Sequence, residues 1–450
     1  MDTVFHSVSL DKQKCLGCMN CIKRCPTQAI RVRHGKATII SERCIDCGEC
    51  IRICPHHAKT AKSDPIEDIQ KFKYKIALPA PSLYGQFNNL DDINYILTAL
   101  TELGFDKIFE VAKGAEIISD ATRKLLKNGN LKKPIISSAC PAVCRLIRIS
   151  YPDLIGNLLE LNTPMDESAR LARIEAREQT GLDDSDIGVF FITPCPAKIT
   201  AIKNPLCAEK SDVDGAIAIS DIYPMLVSKM DHLKELKSID ESGRIGVGWA
   251  TSGGEASGSL SQKYVAADGI ENVIKILEEI EDEKLNDIEF IELNACTGGC
   301  VGGCLTVANT FVAKTRLSIL KQYRPVSCNH IDANEVPNEM MWQENLQPYS
   351  VLKLADNVTD AMKLMNQVSE MVKNFPGLDC GTCGAPTCRS LAEDIVRGYA
   401  SIDHCVFRLK AEMSHTTPLN ENEIEKFIPV PFREIIDEEN CLLYTSPSPR

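Results

Sequence analysis

The chain has 450 residues, of which 44% are apolar, 25% charged and 6% aromatic. That suits two to four globular domains with cores filled by aliphatic side chains. No apolar run is long enough to cross a membrane, no basic-then-apolar signal opens the chain, and the net charge is −12; these argue for a cytoplasmic protein and against membrane or nucleic-acid partners.

The 21 cysteines in a long chain without a signal point to metal held under reducing conditions, not to a disulfide scaffold. The first of them form a repeat. CLGCMNCIKRCP from Cys15 returns as CIDCGECIRICP from Cys44, each a Cys-x2-Cys-x2-Cys-x3-Cys-Pro run. In such tandem runs the fourth cysteine of one serves the cluster of the other. One 4Fe–4S cluster is therefore expected on Cys15, Cys18, Cys21 and Cys54, and a second on Cys44, Cys47, Cys50 and Cys25. Structural zinc takes its cysteines in pairs and fits this pattern poorly. The segment between the runs reads as a short hairpin turning at His34–Gly35, and residues 1–64 read as a two-cluster α+β ferredoxin module. This module carries 11 Lys and Arg against 6 Asp and Glu, and the remainder 39 against 56. A solvated surface is the simpler account of that asymmetry than a basic module facing an acidic body.

A charged stretch, roughly Lys62 to Lys75, reads as a link to a body spanning 76–374. There PIISSAC, IGVFFITPC, RIGVGWATSGG and IEFIELNAC read as short buried strands. The stretches after Asp91, Gly114, Asp166, Glu255 and Leu305 read as amphipathic helices. This alternation predicts α/β layers with parallel sheet. Three cysteine motifs follow strands directly: SSACPAV (Ser137–Val143), TPCPAK (Thr193–Lys198) and ELNACTGGCVGGC (Glu292–Cys304). Sites in open α/β sheets lie at the carboxyl ends of strands, so Cys140, Cys195, Cys296 and Cys300 are expected to converge and hold one more cubane, with Gly298 and Gly299 allowing close backbone approach. The SGGEASG stretch (Ser252–Gly258) lacks the lysine of a phosphate loop and is read as backbone packed near the site. Cys144, Cys207 and Cys328 are read as small core residues, with Cys304 left open, and His56 and His57 as surface histidines.

A third segment, 375–412, carries Cys380, Cys383, Cys388 and Cys405 at spacings x2, x4 and x16, with a helix in the last gap. These four could bind zinc or a 4Fe–4S cluster. LDCGTCGAPTCRSLAEDIVRG resembles the small four-cysteine Fe–S domain of corrinoid iron–sulfur proteins and membrane electron-transport subunits, which favours the cluster. Residues 413–440 are read as a linker or the start of a missing signalling domain. CLLYTSPSPR (441–450) resembles a translated adapter, so Cys441 is not counted as a ligand.

The three body motifs, in this order and behind a ferredoxin module, resemble the catalytic domain of iron-only (FeFe) hydrogenases, whose motifs read TSCCPxW, MPCxxKxxE and ExMxCxGGCxxGG. The resemblance implies a two-lobed α/β catalytic domain with parallel sheets and an H-cluster, in which a cubane is joined to a diiron unit carrying CO, cyanide and a dithiolate. By position, Cys140, Cys195, Cys296 and Cys300 would hold the cubane, Cys300 would bridge to the diiron unit, and Lys198 would bond a cyanide. The implied reaction is reversible formation of H2 from protons and electrons. Implied partners are a ferredoxin-like redox protein or a signalling domain or kinase, together with H-cluster maturation enzymes. Departures are equally specific. Ala139 stands where the family has its proton-relay cysteine, Thr193 and Asn294 replace methionines, Val143 replaces the tryptophan, Ala201 the glutamate and Cys304 a glycine. A methyl group cannot carry a proton, which costs on the order of 10²–10⁴ in rate where general acid–base help is lost. With the C-terminal four-cysteine domain, these departures resemble the sensory hydrogenases, so slow turnover is expected. The alternative is an Fe–S electron-transfer or scaffold protein that keeps its cubanes and lacks the diiron unit.

Overall fold

A computed structural model describes residues 5–129, 131–355 and 357–410. The 413–440 linker and the adapter-like 441–450 with Cys441 lie outside the described residues. The chain divides into two compact units, Met1–Lys353 and Leu354–Arg450.

The first unit opens with strand β1 (Val8–Leu10), the hairpin β2 (Ile30–Arg33) and β3 (Lys36–Ile39), and β4 (Lys59–Ala61), which pairs antiparallel with β1. His34 and Gly35 both have positive φ, 50° and 70°, the pairing a tight two-residue hairpin needs. Each cysteine run winds through one helical turn, Asn20–Lys23 or Glu49–Arg52. Cys15, Cys21, Ile22, Ile30, Ala37 and Ala58 form the module's small core, with Cys25, Cys50 and Cys54 against it.

The link to the body is packed. Ile69 is buried, the Phe72 ring meets Phe190 edge-on at 5.7 Å, and Asp64 accepts from the Ala216 amide. The body's first strand, β5 (Tyr74–Pro79), starts two residues before the expected boundary. With β6 (Lys107–Ile108), β8 (Ile187–Thr193) and β9 (Gly215–Ala218) it makes a parallel sheet in the order β6-β5-β8-β9. A second parallel sheet runs β10 (Tyr264–Asp268), β11 (Phe290–Asn294), β7 (Ile135–Ile136). β8 is buried at all seven positions, as a strand covered on both faces must be. These are the two lobes, and the α/β architecture with parallel sheets holds.

Two readings of the body are corrected. RIGVGWATSGG is not a strand: Arg244–Gly248 is a helical turn. A short apolar run does not distinguish a buried strand from a buried helix, and here Gly246 decides. A Cβ there would lie 2.1 Å from the Ala112 carbonyl oxygen, so the glycine lets this turn press onto the long helix Val111–Asn128. After Glu255 the helix ends at Gly258, and β10 follows. Its residues alternate too weakly to show an edge strand, which is settled by parallel pairing with β11.

The second compact unit starts at Leu354, ahead of the four-cysteine segment expected at 375–412. Helix Val358–Lys373 contributes Val368 to a core with Phe375, Ala385, Leu391, Ala392 and Cys405, so it belongs with the four-cysteine segment it covers. The expected helix in the last gap is Cys388–Val396. No helix among the described residues is long and apolar enough to cross a membrane.

Candidate functional site

The body's cysteines sit where strands end. Cys140 comes four residues after β7 and precedes helix Pro141–Ser150; Cys195 comes two after β8 and precedes helix Pro196–Lys203. Both helices start with proline, which suits the first helical position because its missing N–H would be unpaired there. Cys296 follows β11. The chain then turns through Gly298 and Gly299, at φ 80° and 89°, to Cys300. A side chain at Gly299 would sit 2.5 Å from the Ser252 amide nitrogen, so only glycine brings Cys300 this close to the opposite loop.

All four cysteines line one cavity, together with Ala139, Lys198, Asn294, Glu255 and Glu292. The remaining wall is mostly apolar, including Pro81, Val111, Met165, Phe191 and Trp249. Burial pushes the Cys195 thiol up to about 12, and raises Cys296 and Cys300 as well, with the neighbouring thiols adding to it at Cys195 and Cys300. Converging thiols, three of which resist ionisation in an apolar pocket, are a poor acid–base device. They fit a metal cluster, whose positive irons draw the protons off.

Lys198 Nζ donates to Thr163 Oγ1 at 2.7 Å, and that hydroxyl donates to Asp166 Oδ2 at 2.6 Å. The ammonium is thus held at the cavity wall by the first turn of helix Pro164–Thr180. Thr193 Oγ1 accepts from the Cys195 amide at 3.2 Å, fixing the loop that presents this thiol. Asn294 turns its amide to Glu292 at 2.6 Å.

The carboxylates were not singled out by sequence. Glu292 accepts from the Gly253 and Ala256 amides at 3.0 and 2.8 Å, so the glycine-rich loop packs by the site as expected, with its N–H groups spent on a carboxylate. Glu255 has one donor, Ser137 Oγ at 2.7 Å, and this hydroxyl also accepts from the Ala139 amide at 3.2 Å. Burial, with Glu292 beside it, pushes Glu255 up to about 8. Two adjacent buried carboxyl groups cannot both ionise easily, and the one with fewer donors keeps the proton. A titratable group therefore lies next to Ala139, the position that lacks one.

The ferredoxin cysteines lie in two neighbouring groups. Cys15, Cys18 and Cys54 are the thiols that weigh on Cys21, and Cys25, Cys44, Cys47 and Cys50 line a single small cavity. This second set abuts the body. Asp46 accepts from the Ser7 and Val8 amides and from Thr200 Oγ1, and Arg52 donates to the Gly302 carbonyl at 2.6 Å while reaching the Cys296 thiol. Cys304 lies in between, its Sγ 2.4 Å from where a Cβ on Gly48 would be. In the second unit Cys383, Cys388 and Cys405 share a core, and Asp379 accepts from the Cys388 amide at 2.6 Å. Cys380 is half-buried. Of the unassigned cysteines, Cys144 is buried as expected, whereas Cys207 is half-buried and Cys328 is exposed, so neither is a fully buried core residue.

The family model for the iron-only hydrogenase large subunit, C-terminal domain, matches residues 73–261 and 250–304. The chain belongs to the iron-only hydrogenase large-subunit family. A 4Fe–4S dicluster domain matches 7–55 and an Fe–S cluster domain 375–407. Hydrogenase relatives include iron hydrogenase 1 of Clostridium pasteurianum, 25% identical over 376 residues that make up 67% of this chain and 65% of that protein. The periplasmic Fe hydrogenase large subunit of Nitratidesulfovibrio vulgaris is 25% identical over 360 residues, 66% of this chain and 86% of that one. Among solved structures, the FeFe-hydrogenase HydA1 of Chlamydomonas reinhardtii gives a TM-score of 0.48 at 16% identity, covering 64% of this chain and 97% of that one. The chain spans about two thirds of the Clostridium hydrogenase it matches.

Proposed function

We propose that this chain is a slow, hydrogen-responsive FeFe-hydrogenase-like protein. In this reading Cys140, Cys195, Cys296 and Cys300 would hold the cubane of an H-cluster, with Cys300 as the ligand it would share with a diiron unit. The supporting observation is the convergence of those four thiols with Lys198 and Ala139 on one apolar-walled cavity at the strand ends of two parallel sheets. When bound, the H-cluster supplies the redox chemistry that interconverts H2 with two protons and two electrons.

The chain's own residues do the rest. Lys198, steadied by Thr163, places an ammonium where an anionic ligand would offset its desolvation. The apolar wall keeps bulk water out. Glu255 holds a proton beside Ala139 and exchanges it through Ser137. A carboxyl near pH 8 in the cavity serves as acid or base at neutral pH, while the methyl of Ala139 adds nothing. This division supports slow turnover and a sensory role over bulk catalysis.

Cys15, Cys18, Cys21 and Cys54 would hold one ferredoxin cluster and Cys44, Cys47, Cys50 and Cys25 a second, which would supply electron transfer to the cavity. A further 4Fe–4S cluster on Cys380, Cys383, Cys388 and Cys405 serves a redox partner or a signalling domain or kinase. The cysteine spacings, which suit metal clusters better than disulfides, support a reducing, cytoplasmic setting. The test is infrared spectroscopy of protein matured anaerobically with H-cluster maturation enzymes. Bands of metal-bound CO and cyanide are expected. Their absence from protein with all cubanes loaded would leave the electron-transfer or scaffold reading instead.

A further inference from the structure

The two cysteine runs match position by position beyond their cysteines. Ala29 N donates to Cys25 Sγ at 3.2 Å, and Ala58 N to Cys54 Sγ at 3.3 Å. Gln28 and His57, one residue earlier, share a positive φ of 51° and 47°. At the next position the halves part. Ile30 is 2% exposed and lines the cavity of the second cysteine set. Its counterpart is Lys59, 3% exposed.

Lys59 Nζ is buried and makes no hydrogen bond. Its charge bears on Cys21 and on Cys50, one thiol from each four-cysteine set, and at both it is the largest influence opposing burial. An ammonium removed from water without a partner costs free energy that isoleucine, the residue of the other half, would not cost. What Nζ lacks is a negative partner, and the groups its charge bears on are thiols that would carry one. A cubane on four thiolates is anionic and becomes more so on reduction.

Resting on the reading that these eight cysteines hold two clusters, we propose that Lys59 is the shared countercharge of the ferredoxin pair. A one-electron reduction of either cluster adds one negative charge, which the fixed ammonium offsets without proton uptake. Lys59 thereby raises both reduction potentials, through net charge near the cluster, and keeps the two sites close enough in potential to pass electrons in either direction. It acts as a positioning residue for charge and touches no substrate.

The experiment uses the full chain reconstituted with iron and sulfide, titrated with dithionite and followed by electron paramagnetic resonance. Signals are assigned to the two ferredoxin sites with Cys18→Ser and Cys47→Ser. In Lys59→Met, the reduction equilibrium of both ferredoxin clusters should fall at least about tenfold, ~59 mV for one electron, with Lys59→Arg close to the parent and the C-terminal cluster unmoved. Unchanged ferredoxin potentials, or an equal shift of every cluster, would overturn the proposal. If Lys59→Met does not load its ferredoxin clusters, loading of Lys59→Arg supports the charge, and failure of both variants refutes it. A parent protein with no ferredoxin signals would instead refute the cluster reading itself.

Discussion

Replacing Glu255 by glutamine tests the protonated carboxyl directly and needs no cofactor. Glutamine keeps the shape and the acceptor for Ser137 Oγ but cannot ionise. Glu255 has its folded pKa raised, from 4.5 to about 8, by burial with Glu292 as neighbour. Between those values the folded state binds a proton that the unfolded chain does not, so stability is fully present below about pH 4.5 and is lost as pH rises towards 8. At about 1.36 kcal/mol per pH unit, a raised pKa of this kind amounts to a few kcal/mol in order of magnitude, held by Glu255 and Glu292 as a pair. Above pH 8 the loss stops growing. Urea unfolding of parent and Glu255→Gln across pH 5 to 9 reads this as a difference between two curves, in which carboxylates other than the coupled Glu292 cancel. The parent should lose stability relative to the variant by about 1.4 kcal/mol for each pH unit up to about 8. Parallel curves would mean that Glu255 is ionised like a surface glutamate, and the proton-holding role would fall with it.

Three further substitutions probe the rest of the site. Ala139→Cys restores a proton carrier at the cavity wall and should raise H2 turnover of matured protein, by no more than about 10²–10⁴; an unchanged rate in fully loaded protein would refute the relay argument. Thr163→Ala removes both the acceptor of Lys198 and the capping side chain of helix Pro164–Thr180, for a loss of about 1 kcal/mol in thermal or denaturant unfolding. Thr163→Ser should recover most of that loss. Arg52→Gln breaks the bond to the Gly302 carbonyl and the contact with Cys296. With a third of the side chain in solvent, the stability cost should stay near 1 kcal/mol and shrink with salt, while the cavity cubane, losing a positive neighbour, should become harder to reduce in a spectroelectrochemical titration.

Cluster chemistry was the most legible part of the chain, because one cubane needs several thiols from a short run and the spacing records the wrap. The two ferredoxin sets, the hairpin at His34–Gly35 and the strand-then-cysteine motifs at Cys140, Cys195 and Cys296 all followed from local pattern. RIGVGWATSGG did not, because its conformation is decided by Gly246 meeting Ala112, more than 130 residues away. Glu255 was hidden for the same reason: its pKa depends on Glu292 and Ser137, which belong to other segments. Nor does a count of charges reveal the basic module's docking, although Arg24–Glu271, Lys203–Asp64 and Arg52 with Gly302 do tie it to the body. Lys59 lies between these extremes. The repeat alone aligns it with Ile30, and burial alone makes it an isolated ammonium; only the two together show a hydrophobic position converted to a charge. A thiol is absent at Ala139 and a carboxyl is raised beside it, while an ammonium is present at Lys59 with no anion in reach. Each is a local mismatch in charge or proton capacity, and each falls at a position where a bound cluster or a transferred proton would remove it.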